Sequence, residues 1–185
     1  ALRQLGIVHQ YQGDFSAARQ AYETAIQTYH ATGNEKGESM ALNSLGTLHV
    51  AQGLYTAALE YYKGSLELKR KIGHRYSEHL TLFNMGIVAD RIGSYLEAIE
   101  TLKKVEQFGI ETGGKEEEAD ALNGLGSIYL HLGDFATSRT CLERALSLAI
   151  EVDNESSQWD ALQGLGSLAR AEGDNATAYH LAQET

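Results

Sequence analysis

Hydrophobic residues recur every 40 positions along this chain, in columns that lie three residues apart within each copy. The first column is leucine in every copy: Leu2, Leu42, Leu82, Leu122 and Leu162. The next two columns are also apolar: Leu5, Leu45, Met85, Leu125 and Leu165, then Val8, Leu48, Val88, Ile128 and Leu168. Spacings of three and four residues place side chains on one face of an α-helix, so each copy begins with an amphipathic helix.

Glycines divide each copy at two fixed positions. One glycine column falls inside the first helix, where glycine costs about 1 kcal/mol relative to alanine: Gly6, Gly46, Gly86, Gly126 and Gly166. Close approach of a second helix is the expected reason for it. The other column ends the first helix, because glycine adopts the left-handed conformation easily: Gly13, Gly53, Gly93, Gly133 and Gly173.

A second helix is predicted after the second glycine. Asp14, Ser94, Asp134 and Asp174 are its expected N-caps, and Leu54 breaks that rule in the second copy. Aromatic, alanine and leucine columns follow at helical spacing. Each copy is therefore a helical hairpin, and a hairpin that cannot bury both faces stacks on its neighbours. The copies span 1–40, 41–80, 81–120, 121–160 and, incomplete, 161–185, which predicts about nine helices and no strand.

These columns resemble the tetratricopeptide repeat, shown best by Leu122, Leu125, Gly126, Tyr129 and Leu142 in the fourth copy. The common repeat has 34 residues, and the 40-residue form resembles Pins-type polarity adaptors, kinesin light chains and many bacterial regulators. The resemblance implies an all-α, right-handed superhelical solenoid of antiparallel helical hairpins that forms a single domain over 1–185. It also implies that first helices line a concave face where a protein or peptide partner binds.

An amide column runs along the first helices, one or two positions before the Leu-Gly pair: Gln4, Asn43, Asn84, Asn123 and Gln163. The resemblance places it on the concave face. Since an amide offers both a donor and an acceptor, the row can hold the main chain of a peptide. The alternatives are that the amides solubilise an exposed face or bond to a neighbouring helix end. Other candidates for the same face are Arg3, Arg91, His131 and Arg170.

Catalytic, cofactor and metal sites are not expected. The seven histidines show no metal-ligand spacing, and Gly124-x-Gly126 lies within a helix instead of following a strand. Cys141 has no histidine at helical spacing, so a buried, unreactive thiol is expected. The net charge of −10 argues against nucleic acid, and no apolar run is long enough to cross a membrane. A lone cysteine suits a reducing compartment, so a cytoplasmic location is expected.

Two functions remain open from the sequence. The first is a scaffold that binds a protein or peptide in its groove. The second is a ligand- or peptide-responsive sensor segment of a bacterial transcriptional regulator or signalling ATPase. The repeat already runs at Ala1 and stops within a copy at Thr185, so we expect a piece of a longer protein. Uncovered Leu162, Leu165 and Leu168 would then permit self-association through the C-terminal end.

Overall fold

The computed structural model describes the backbone of residues 2–184 and the side chains of residues 2–178 and 180. The described residues form ten α-helices and no strand. Their bounds are α1 Leu2–Tyr11, α2 Phe15–Ala31, α3 Glu35–Ala51, α4 Tyr55–Lys71, α5 Arg75–Arg91, α6 Tyr95–Thr112, α7 Lys115–His131, α8 Phe135–Glu151, α9 Glu155–Glu172 and α10 Asn175–Glu184. Odd-numbered helices are the first helices of the copies and even-numbered ones the second, so the all-α hairpin architecture is confirmed.

The fifth copy contributes one helix more than the expected nine. Its second helix is α10, which follows Gly173 (φ 84°). The Asp174 side chain accepts a hydrogen bond from the Thr177 amide at 3.1 Å and one from its hydroxyl at 2.6 Å. These bonds satisfy a free amide at the helix start, so the chain turns and continues as a helix after two linker residues, Gly173 and Asp174.

The helices group into two compact units, Ala1–Gly93 and Ser94–Thr185, hereafter unit 1 and unit 2. In unit 1 each helix from α1 to α5 packs against the next. Its core includes Ala18 and Tyr22 of α2 against Leu45 and Leu48 of α3. In unit 2 each helix from α6 to α10 packs against the next, and α7 also contacts α9.

Three of the four expected N-caps are confirmed and one is wrong. Asp14 accepts from the Ala17 amide at 2.9 Å, and Asp134 and Asp174 make the same bond in their copies. Leu54 makes no cap, as expected. The Ser94 side chain makes no cap bond either, although serine can, so α6 begins without one.

The first glycine column marks close approach of the second helix, as expected. A Cβ placed on Gly46 would lie 2.6 Å from Cε1 of Tyr62, and one on Gly126 would lie 2.6 Å from Cγ of Leu142. A Cβ placed on Gly6 would lie 2.4 Å from Cε1 of Tyr22. Because real contacts to Cβ are longer than 3 Å, the aromatic or leucine side chain occupies the space a larger residue would need.

Two of the three C-terminal leucines expected to be uncovered are buried, and Leu162 is half-buried. Leu165 is 9% exposed and Leu168 is fully buried, because α9 packs against α7, α8 and α10. The corresponding residues of α1 are the open ones: Leu5 is 47% exposed and Val8 is 49% exposed. Within the described residues no helix precedes α1. Self-association itself stays a prediction.

Two alanine substitutions in the same hairpin test the glycine contact. Gly46→Ala should destabilise the protein by about 1–3 kcal/mol, because the new methyl group overlaps the Tyr62 ring. Gly64→Ala should stabilise it by about 0.5–1 kcal/mol, because alanine is the better helix former. The Cβ at that position meets only Leu42, at an ordinary 3.6 Å. Thermal unfolding followed by circular dichroism measures both, and equal effects of the two substitutions would contradict the close-approach explanation.

Candidate functional site

The amide column lies on the first helices of both units, with different exposure from copy to copy. In unit 1, Gln4 of α1 is exposed, whereas Asn43 of α3 and Asn84 of α5 are half-buried. In unit 2, Asn123 of α7 and Gln163 of α9 are half-buried. Asn43 and Asn123 hydrogen-bond to a helix that follows their own, so the helix-bridging alternative describes these two amides in the structure.

Asn43 joins a polar cluster between α3, α4 and α5 in unit 1. Its Oδ1 accepts from Oγ1 of Thr81 at 3.0 Å and from Nζ of Lys69 at 3.4 Å. Nζ of Lys69 also donates to Oγ1 of Thr81 at 2.5 Å. Thr81 Oγ1 lies 3.1 Å from the Ser77 carbonyl oxygen as well, so its single proton has two acceptors.

Lys69 is a buried ammonium whose two hydrogen-bond acceptors are both neutral. The residue is 4% exposed and makes no ion pair within the described part of the chain. Burial disfavours the charged form and lowers the pKa of Lys69 to about 8. The neighbouring Lys71, on the exposed side of the same helix, instead pairs with Glu35, which raises the pKa of Lys71.

Asn123 takes part in a different cluster, between α7 and α9 in unit 2. Its Nδ2 donates to the carbonyl oxygen of Ser157 at 3.0 Å and contacts Oγ of that serine at 3.3 Å. Oγ of Ser157 donates to Oδ1 of Asp120 at 2.7 Å. Oδ1 of Asn123 is buried and has no partner. Burial raises the pKa of the Asp120 carboxyl, and the Ser157 hydrogen bond opposes that rise.

The remaining candidates lie at the surface of their helices. Arg3 is half-buried and reaches Oγ of Ser44 at 3.5 Å, which links α1 to α3. Arg91 is exposed at the end of α5. In unit 2 the His131 ring lies 6.1 Å from that of Tyr95, and Arg170 donates to Oγ of Ser167 at 3.0 Å. These four side chains do not converge on one point within either unit.

Sequence reasoning missed Lys69 and Thr81, although their columns carry a signal. The residues that correspond to Lys69 in the other copies are Tyr29, Gly109 and Ala149, and those that correspond to Thr81 are Ala41, Ala121 and Ala161. A lysine and a threonine thus replace small or aromatic residues at two positions that contact each other. Two residues that each differ from the rest of their column, and that contact each other, indicate a polar contact between helices.

Metal binding has no candidate site among the described residues. No group of three His, Cys, Asp or Glu side chains in that part of the chain could hold a metal ion. Burial raises the pKa of the Cys141 thiol to about 11, which keeps it protonated at neutral pH. None of the described helices has the length and apolar character needed to cross a membrane.

Models of the tetratricopeptide repeat match residues 37–108, 117–185 and 1–32 of the chain. The curated proteins contain no match to it. The matched ranges cover nearly all of the five copies recognised from the columns.

Solved structures with the same fold have low sequence identity to this chain. A kinesin light chain from Podosopora anserina with nearly identical TPR-like repeats has a TM-score of 0.78 at 17% identity, over 98% of this chain and 90% of that one. BtubC (BKLC) from P. vanneervenii has a TM-score of 0.82 at 18% identity, over 99% and 76%. A signal transduction ATPase from Pyrococcus horikoshii with a tetratricopeptide repeat sensor has 0.78 at 16%, over 96% and 28%.

The two asparagines should respond with opposite sign to the same substitution. Asn43→Asp keeps the acceptor that faces Lys69 and gives the buried ammonium a counter-charge, so stability should rise by about 0.5–2 kcal/mol. Asn123→Asp puts an acceptor against the Ser157 carbonyl oxygen, so stability should fall by about 1–3 kcal/mol. Melting temperatures at neutral pH measure both, and a change of the same sign would contradict the assigned amide orientations.

Lys69 should make stability depend on pH in the alkaline range. The pKa of Lys69 is about 8 when folded, below its ordinary 10.5, so the unfolded chain binds the proton more tightly. Stability should therefore rise as pH increases through that interval, by about 1–3 kcal/mol. Lys69→Met should remove the rise and be the more stable protein at neutral pH. The exposed Lys36→Met variant is the control and should follow the unmodified chain in melting experiments across this range.

Proposed function

The chain belongs to the tetratricopeptide repeat family, and from that premise we propose that it is an interaction scaffold that holds a peptide or helix of a partner protein against its first helices. Proteins of this family are generally non-enzymatic scaffolds, and the proposal includes no catalytic step. A protein partner, no nucleic acid and a cytoplasmic location are parts of the same proposal. The net charge of −10 of the chain argues against a nucleic-acid partner, and the lone Cys141 suits a cytoplasmic location.

The observation that carries the proposal is a large apolar surface on a first helix. Tyr76 of α5 is 54% exposed and Leu80, one turn later, is 47% exposed. Phe83 and Asn84, the next residues on that side, are half-buried. Exposed aromatic and leucine side chains beside an amide are typical of surfaces that bind protein segments, because apolar anchors supply affinity and amides fix the main chain.

The proposed surface differs in charge between the two units. Tyr76 and Leu80 of α5 correspond to Glu116 and Asp120 of α7, one repeat later. The surface of unit 1 therefore suits apolar residues of a partner, and the surface of unit 2, taken by itself, suits basic ones. The proposed contact residues are Gln4, Arg3, Asn43, Asn84 and Arg91 in unit 1, with Asn123, Gln163, His131 and Arg170 in unit 2.

A second candidate function is a sensor segment that binds a small ligand or signal peptide and controls an attached domain. The Pyrococcus horikoshii ATPase, which carries a tetratricopeptide repeat sensor, favours it. The present chain covers only 28% of that protein, so any control of an attached domain is a further proposal.

Peptide selection followed by a matched pair of leucine variants tests the scaffold function. The chain is immobilised, peptides are selected from a phage library, and affinities are measured by calorimetry. Leu80→Asp should weaken the selected peptide by about tenfold or more, because it puts a charge in the apolar surface. Leu54→Asp is the control: Leu54 is equally exposed but precedes a second helix, where aspartate can cap.

The outcomes separate the functions. A Leu54→Asp affinity near that of the unmodified chain, with a large loss for Leu80→Asp, supports the first-helix surface. Equal losses or no loss in either variant would overturn it. Failure to select any peptide, together with a small molecule that raises the melting temperature, would favour the sensor.

A further inference from the structure

We propose that Lys69 and Thr81 are positioning residues that fix Asn43 as a one-way hydrogen-bond donor, so that unit 1 takes an acceptor of its partner at this point. The acceptor is a main-chain carbonyl or a carboxylate. The inference rests on the proposed function, which it makes more specific: it states which end of the amide faces the partner and which residues hold it there.

The orientation of the Asn43 amide follows from the chemistry of its neighbours. An ammonium group has no lone pair and cannot accept a hydrogen bond. The amide atom that lies 3.4 Å from Nζ of Lys69 is therefore the oxygen. Thr81 Oγ1 accepts from the same ammonium and lies 3.0 Å from the same amide oxygen, and its single proton is shared between that oxygen and the Ser77 carbonyl oxygen. The Lys69 ammonium is therefore the donor that fixes Oδ1 on the inner side, and Thr81 holds the ammonium in place.

The other end of the amide is then the one available to a partner. Asn43 is half-buried, and within the described residues its Nδ2 makes no hydrogen bond. An unpartnered nitrogen that was fully buried would stand beside Oδ1 of Asn123 as an unsatisfied atom, and Nδ2 of Asn43 does not, so it keeps some exposed surface. Its N–H groups match a carbonyl or carboxylate oxygen.

Comparison with Asn123 shows that the direction of the Asn43 amide depends on the neighbours of Asn43 and is not shared by the whole amide column. A carbonyl oxygen cannot donate, so the Asn123 atom 3.0 Å from the Ser157 carbonyl is the nitrogen. Its donors are used within unit 2. The residues that correspond to Lys69 and Thr81 are Ala149 and Ala161, which have no side-chain donor. Where the pair is absent, the amide points the other way.

The buried ammonium also favours one type of acceptor over the other. A carboxylate that accepts from Asn43 would lie near the positive charge of Lys69, and few screening water molecules separate buried groups. A neutral carbonyl gains less from that charge. The carboxylate should therefore bind more tightly than the carbonyl.

Nuclear magnetic resonance of the intact chain tests the inference with two small probes. Sodium acetate supplies a carboxylate and N-methylacetamide supplies a neutral carbonyl, with sodium chloride at matched ionic strength as the salt control. The side-chain NH₂ signals of Asn43 should shift saturably with acetate and more weakly with N-methylacetamide. Those of Asn123, which are engaged by Ser157, should not shift. No shift at Asn43, or an equal shift at Asn123, would overturn the inference.

Variants of the two positioning residues separate an effect on the amide from an effect on the fold. Lys69→Met with Thr81→Val removes both donors and should weaken the acetate response of Asn43 by about two- to tenfold, the loss expected for one hydrogen bond. Thr81→Ser retains the hydroxyl and should respond as the unmodified chain does. An unchanged response in the double variant would contradict the positioning role. If the amide result fails while Leu80→Asp still weakens the selected peptide, the scaffold function stands and only the polarity of Asn43 is wrong.

Discussion

The fold depends on one steric contact, the close approach of the two helices of a hairpin at a glycine. Tyr62 fits over Gly46, and Leu142 fits over Gly126, at distances no Cβ would permit. At the second of these contacts the Ser138 hydroxyl also reaches the Gly126 carbonyl oxygen at 2.8 Å. The contact between the two helices leaves the apolar residues on the outer faces of the hairpin exposed. These residues are buried only when the hairpin packs against an adjacent hairpin.

Stacking of the hairpins explains why the hydrophobic columns predicted so much of the structure. Leu48 and Ile128 come from the same column and are both fully buried, and their helices pack against the second helix of the preceding copy. Within the described residues no helix precedes α1, and there Val8 of the same column is exposed. Column positions therefore predict helices, turns and buried faces, since these follow from contacts that repeat in every copy.

Contacts that occur once could not be predicted in this way. Lys69 and Thr81 are 12 residues apart, and Asn43 and Thr81 are 38 apart, so no local pattern links them. The orientation of an amide depends on such contacts: Oδ1 of Asn43 lies against Nζ of Lys69, whereas Nδ2 of Asn123 lies against the carbonyl oxygen of Ser157. The sequence could therefore place the amide column but could not assign its donors and acceptors.

Burial of the Lys69 ammonium in unit 1 costs folding free energy, which argues that the polar contacts of this cluster have a function. A methionine would fill the Lys69 position without desolvating a charge, and buried ionic groups are often replaced by apolar residues with no loss of stability. The helix α5 that carries Thr81 also has Tyr76 and Leu80 exposed. Unit 1 therefore combines a fixed donor, a buried positive charge and an apolar surface. Such a combination distinguishes a partner by the placement of its acceptor and its apolar residues together, which the repeated contacts of the fold alone cannot do.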